Sequence, residues 1–138
     1  MVTMSQYSRV GILIIKNDEL LVMHRIKNGR EYYCIPGGRQ ELGETAHETA
    51  VREMLEETNL HVVLGKVLCM IDEAAPRGGK GLYFLTTSYT GTAELGGPEK
   101  EESCPENFFA LAWIKLDKLS ETTIYPKVVV EKLIHTLS

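Results

Sequence analysis

Gly38-Arg39-Gln40-Glu41-Leu42-Gly43-Glu44-Thr45-Ala46-His47-Glu48-Thr49-Ala50-Val51-Arg52-Glu53-Met54-Leu55-Glu56-Glu57-Thr58-Asn59-Leu60 is the stretch that decides the fold of this chain. Its second half predicts a helix over 46–58 with both ends signed. Thr45 at the N-cap and Glu48 three residues later make a capping box, in which each side chain satisfies a backbone N–H at the other position. Asn59 stands where a left-handed residue closes a helix, a place that Asn fills next best after Gly. Leu60 beyond it is expected against Leu55, the contact of a Schellman ending. Ala50, Val51, Met54 and Leu55 share one face at helical spacing and are expected to lie on a sheet.

The opposite face is acidic. At about 100° per residue, Glu53, Glu56 and Glu57 fall within roughly a third of the helix circumference. Their i,i+3 and i,i+4 pairs repel, each at about 0.2–0.5 kcal/mol on an isolated helix. A solvated charged face tolerates such a cluster. A cation explains it equally well on spacing alone, because converging carboxylates are hard-oxygen ligands for Mg²⁺ or Mn²⁺.

Outward from this stretch, residues 9–16 and 20–26 are apolar, β-rich runs joined at Asn17-Asp18, which reads as a hairpin. Asn28-Gly29 suits a two-residue type I′ turn. A short strand over 31–35 then stops at Pro36-Gly37-Gly38. Past the helix, residues 61–73 and 80–91 read as strands joined through Pro76-Arg77-Gly78-Gly79. Residues 92–107, rich in Gly, Pro and Glu, read as a long surface loop. Residues 109–116 form another strand, with Trp113 expected in the core. Pro126 fits the first turn of a final helix over 126–137. Strands linked partly by hairpins, with two helices, give an α/β domain whose mixed sheet lies between helices.

The 138 residues make one domain, 1–138, on the prior of roughly 100–200 residues per domain. Hydrophobic residues at 43% and charged residues at 25% are globular proportions and exclude a disordered chain. No apolar run approaches a membrane span, and the polar start to Tyr7 lacks the pattern of a signal peptide. Cys34, Cys69 and Cys104 form neither a disulfide framework nor a zinc spacing, which suits a cytoplasmic location. They are expected as small buried hydrophobes. A net charge of −4 argues against DNA binding but not against a small phosphorylated ligand, since a bound cation reverses the local field.

The pattern from Gly38 runs five residues to Glu44, seven more to Arg52-Glu53, then Met54, one residue, Glu56-Glu57, one residue, Asn59 and Leu60. It resembles the Nudix box of the MutT-like hydrolases, departing only in Asn59, where the family has glycine. The hairpin strands before it, Tyr33-Cys34-Ile35-Pro36-Gly37-Gly38 leading into it, and Trp113-Ile114-Lys115-Leu116 with Asp117 and Leu119 near the end are also similar to that family. The resemblance implies a Nudix-type α/β/α sandwich with a mixed β-sheet. It implies Mg²⁺-dependent pyrophosphohydrolysis of a nucleoside diphosphate linked to another group, a nucleotide or nucleotide-sugar type substrate. Glu53, Glu56 and Glu57 become metal ligands, with the Gly38 carbonyl a further one. Arg52 holds the acidic cluster by ion pairing, and Glu44 supports the loop and helix start. The general base is Glu53 or, as in some Nudix enzymes, a glutamate on a later loop: Glu99, Glu101, Glu102 or Glu106, of which Glu106 is preferred.

Arg25 and Arg39 flank this site in sequence and could bind phosphate. Tyr32 and Tyr33 could stack on a base or simply pack, and adjacent strand residues face opposite ways; Tyr33 is the candidate for the substrate side. His24, His47, His61 and His135 have no ligand spacing and receive no role. Two other functions compete. A Nudix-fold nucleotide-binding or regulatory domain without catalysis would be expected to lack box glutamates. An RNA 5′-end pyrophosphohydrolase would need a basic track. A homodimer is compatible with the sequence.

Overall fold

The computed structural model describes residues 7–97, 103, 104 and 106–138. Among these described residues, nine strands fall into two sheets. The first contains β1 (Arg9–Leu13), β5 (Gly37–Gly38), β6 (His61–Asp72) and β7 (Lys80–Thr90), in the order β5-β1-β7-β6. Within it β1 pairs parallel with β7 and antiparallel with β5. The second follows β2 (Ile15–Lys16), β3 (Glu19–Lys27), β4 (Arg30–Cys34) and β9 (Ile124–Tyr125), with β8 (Asn107–Lys115) antiparallel to β3. Helices α1 (Ala46–Thr58) and α2 (Lys127–Leu137) close the two faces.

Two apolar clusters hold these layers together. Under α1 lie Val10, Ile12, Ile14, Leu21, Met54, Leu60 and Phe84; under α2 lie Leu13, Val22, Ile35, Leu68, Tyr83 and Leu133. The alternation along β1 decides the partition, because successive side chains of a strand face opposite ways. Met54 and Leu60 are wholly buried, each worth roughly 1.5–3 kcal/mol in transfer from water. The expected α/β/α sandwich is therefore present, built on two mixed sheets rather than one.

The helix over 46–58 forms with the bounds predicted. Glu48 donates its N–H to Thr45 Oγ1 at 3.0 Å, and Thr45 donates its N–H to Glu48 Oε1 at 2.9 Å. Asn59 closes the helix at φ 63°, ψ 20°. Leu55, expected in the core, is 41% exposed while Leu60 is buried, so the Schellman contact does not seal this end. The apolar face consists of Ala50 and Met54, with Val51 at its margin. Asn17, Asp18, Asn28 and Gly29 all take positive φ, as the two hairpin turns require.

Other boundaries differ from expectation. The run 9–16 is not one strand. It breaks at Ile14, where the chain passes from the first sheet to the second, and the Ile14 carbonyl accepts from Leu21 N–H at 2.9 Å. Ile12, Leu13, Ile14 and Ile15 run apolar straight across it, so hydrophobicity carries no mark of the break. Gly37-Gly38, read as a stop, pairs as β5 with Val10 and Gly11. A Cβ on Gly37 would collide with the Val10 carbonyl, so only a bare backbone allows this pairing. A 3₁₀ turn over Leu116–Glu121 and the two-residue β9 had no sequence signal. Pro126 caps α2 from outside its first turn, its carbonyl accepting from the N–H groups of Val129 and Val130. Cys34 and Cys69 are half-buried and Cys104 is exposed, against the expectation of three buried thiols.

Candidate active site

Arg52 organises the acidic face of α1. Its Nε and Nη2 donate to the two oxygens of Glu44 at 2.6 and 2.9 Å, a bidentate pair. Nη1 donates to Glu53 Oε1 at 2.9 Å and reaches Glu56 Oε2 at 3.4 Å. Nη2 also donates to the Arg39 carbonyl at 3.2 Å, tying the loop before the helix to its second turn. The guanidinium thus stands among the carboxylates and offsets the repulsion that their spacing imposes.

Glu44 anchors this hub from outside the helix. Besides Arg52, it accepts from Glu41 N–H and from Thr49 Oγ1, both at 2.9 Å. The Arg52 hydrogen bonds outweigh burial and hold its carboxyl well below the usual range, at about 2. A depressed carboxyl stabilises the fold above its unfolded pKa and loses that stabilisation as pH falls through the folded value. The shift corresponds to about 3 kcal/mol at most, less after partial screening. Glu44→Gln is therefore expected to cost about 2 kcal/mol at pH 7, and the gap to wild type should narrow steadily between pH 5 and pH 3. Urea unfolding across that range measures it; a gap independent of pH would remove Glu44 from the hub.

Glu53 and Glu57 stand differently. The Glu53 side chain is only 17% exposed, and Glu57 is buried at 6%. Glu57 accepts from Gly37 N–H at 3.3 Å. Burial pushes the Glu53 carboxyl up, with Glu56 adding to the shift and Arg52 opposing it. A Cβ on Gly38 would collide with the Glu53 carboxylate, so glycine there lets the strand backbone approach the acid. Among the described residues no three His, Cys, Asp or Glu side chains already form a metal cage. Glu56, 53% exposed, leans on Arg52 rather than on Glu53 and Glu57. The donor set nevertheless fits a hard cation. All its atoms are oxygen, and two enclosed carboxylates one helical turn apart need a proton or a cation between them.

A cleft of about 690 Å³ opens beside this face, with Gly37 and Glu57 in its wall. Arg25 enters it from β3, its Cζ 3.8 Å from the Phe109 ring centroid and its Nη2 donating to Asn107 Oδ1 at 2.9 Å. Its Nε is buried without a partner. The register pairs Arg25 with Tyr32 and His24 with Tyr33. Tyr32 consequently lines the cleft, whereas Tyr33 stacks on His24 on the other face at 4.7 Å, packed against the cluster under α2. Tyr33, the candidate for the substrate side, is thus placed on the face away from the cleft. Arg39 is exposed and contributes its carbonyl to Arg52. Glu106 is exposed, with its carbonyl accepting from Asn28 N–H at 3.3 Å, and it is not in the cleft wall. Glu99, Glu101 and Glu102 lie outside the described residues.

Three cleft residues had no sequence signal as site residues. Arg9 is enclosed at the head of β1; burial opposes its charge, and Cys34, Tyr83, Glu57 and Glu73 outweigh it and keep the guanidinium protonated. Glu73 and Phe109 also line the cleft. In sequence Arg9 is one cation before an apolar run, and nothing local separates it from a surface arginine.

The family model described as the NUDIX domain matches residues 6–132. A MutT-like protein of Streptomyces ambofaciens is 30% identical over 114 residues, 83% of this chain and 66% of that protein. An 8-oxo-(d)GTP phosphatase of Mycolicibacterium smegmatis is 28% identical over 108 residues, 78% of this chain and 30% of that protein. Two further curated relatives are matched over 39% and 52% of their length, so the chain spans only part of these proteins. The crystal structure of a MutT NUDIX hydrolase from Burkholderia pseudomallei superposes with a TM-score of 0.71 at 21% identity, covering 91% of this chain and 95% of that one. No helix of the described residues is long and apolar enough to cross a membrane.

Proposed function

The chain belongs to the Nudix family, and from that premise we propose that it is a hydrolase of phosphoric anhydride bonds, cleaving the P–O–P link of a nucleoside diphosphate joined to another group. The observation that carries the reading is the buried Glu57 carboxylate in the wall of a cleft of nucleotide size, with Glu53 one helical turn away against Gly38. Glu53, Glu56 and Glu57, with the Gly38 carbonyl, would hold the cation, Mg²⁺ or Mn²⁺. When bound, such an ion supplies Lewis acidity that neutralises charge building on the phosphoryl oxygens.

The chain's own residues do the rest. Arg52 positions the acids: it holds Glu53 Oε1 and is itself clamped by Glu44. Glu53 Oε2 then remains to take the proton of the attacking water as general base. The water oxygen forms the new bond to phosphorus, and the bridging oxygen leaves with the electron pair of the broken P–O bond. Arg25, in the cleft wall, offers its positive charge to a phosphate oxygen. Glu106, exposed and outside the cleft wall, is not needed as the base.

A panel of nucleoside triphosphates and nucleoside diphosphate sugars with Mg²⁺, with products separated by ion exchange, tests the reading. A nucleoside monophosphate is the expected product. Nucleotide binding without turnover of any member would return the chain to the binding-domain alternative.

A further inference from the structure

The acidic face of α1 ends on a turn that is built to fray. Glu56 and Glu57 sit in the last turn of the helix, which holds no basic residue. Carboxylates there meet the negative end of the helix dipole, and the last four carbonyls of a helix find no partner within it. Asn59 N–H donates to the Leu55 carbonyl at 3.1 Å. Further donors come from outside the helix, from residues 91–97, a strap that follows β7. Glu94 N–H donates to the Thr58 carbonyl and Gly96 N–H to the Glu57 carbonyl, both at 2.9 Å. A Cβ on Gly96 would collide with the Glu56 carbonyl, so bare backbone lies directly on the turn. Gly91, at φ 103°, turns the chain out of β7, and a Cβ there would meet the Asn59 carbonyl.

The same end of the helix carries the departure from the box pattern. Asn59 Nδ2 donates to the Thr92 carbonyl at 3.4 Å, which a glycine cannot do. Asn is also tolerated in the left-handed conformation that this residue takes, at φ 63°. The side chain therefore adds a hook between helix and strap to a cap that the backbone alone can close.

We propose that Asn59 and Gly96 are positioning residues for the cation site: they hold the strap on the last turn of α1 and so fix the backbone from which Glu56 and Glu57 project. Glu53, one turn earlier, is held by Arg52 and is independent of the strap. A frayed turn would spread the other two carboxylates, and a cation would have to order them before it could bind. The inference rests on the reading of Glu56 and Glu57 as ligands, and neither Asn59 nor Gly96 contributes its side chain to the ion or the substrate.

Two readouts on the intact chain test it. Amide hydrogen exchange of the metal-free protein reports on the strap, and calorimetric titration with Mn²⁺, without nucleotide, reports on the site. Asn59→Gly keeps the left-handed cap and removes only the hook. It is expected to speed exchange at the Glu94 and Gly96 amides about fivefold and to weaken Mn²⁺ binding by a similar factor, the worth of one modest hydrogen bond. Its melting temperature in EDTA should be no lower than that of the wild type, because Gly is the preferred residue at this cap. Gly96→Ala should weaken Mn²⁺ binding about tenfold, since both backbone hydrogen bonds of the strap are displaced. In both variants the Mg²⁺ concentration for half-maximal turnover should rise while kcat at saturating metal is kept, a split that a general loss of stability would not produce. If Gly96→Ala does not fold, Asn59→Gly decides alone. Wild-type Mn²⁺ affinity in Asn59→Gly, or unchanged exchange at Glu94 and Gly96, would overturn the role of the strap and leave the cation reading standing. A wild type that takes up no Mn²⁺ would overturn the cation reading and this proposal with it.

Discussion

In EDTA the protein is expected to turn over no nucleotide, and millimolar Mg²⁺ or Mn²⁺ should restore the full rate. The reason lies in the charge balance of the acidic face. Arg52 is the cation among four acids, and its N–H groups are directed to Glu44, Glu53 and Glu56 and to the Arg39 carbonyl. Glu57 lies beyond this fork, its carboxylate accepting from Gly37 N–H. A triphosphate adds more negative charge to that spot. Without a divalent ion the acids repel the substrate they must engage. Rate measurements against free Mg²⁺ check this, and undiminished turnover in metal-free buffer would sink the mechanism.

Glu57→Gln is expected to lower kcat by about a thousandfold, the equivalent of about 4 kcal/mol of the several that a metal clamp supplies. The substitution is clean because Gln keeps the shape and can still accept the Gly37 N–H. It removes only the charge. In EDTA the variant should melt at or above the wild-type temperature, since one charge is removed from a crowded acidic helix face. It should gain less than wild type on adding Mg²⁺, because stabilisation by a ligand follows its affinity for the folded state. Wild-type turnover in the variant, or a lower melting temperature in EDTA with an equal Mg²⁺ gain, would make Glu57 a structural acid.

The two expectations draw on different parts of the chain. Thr45 with Glu48, Asn59 with Leu55, and the three glutamates with one another each act across four residues or fewer, so capping, helix length and the acidic face follow from local geometry. The hub is less local. Glu44 is eight residues from Arg52 and outside the helix, and only the folded-back loop brings its carboxylate to both guanidinium edges. From spacing alone, Glu44 and an ordinary first-turn acid look the same.

The helix with its caps, the hairpin turns, the α/β class and the one helix face that carries the carboxylates were legible along the chain. Each rests on contacts between near neighbours or on a periodicity that burial enforces. Pairing between distant strands sets the break at Ile14 into a second sheet, the turning of Tyr32 rather than Tyr33 to the cleft, and the place of Arg9 and Glu73 in one cleft wall. These depend on register between distant strands. One residue of register turns every side chain of a strand to the opposite face. Nothing along the chain at Tyr32, Tyr33 or Arg9 records which register the sheets adopt.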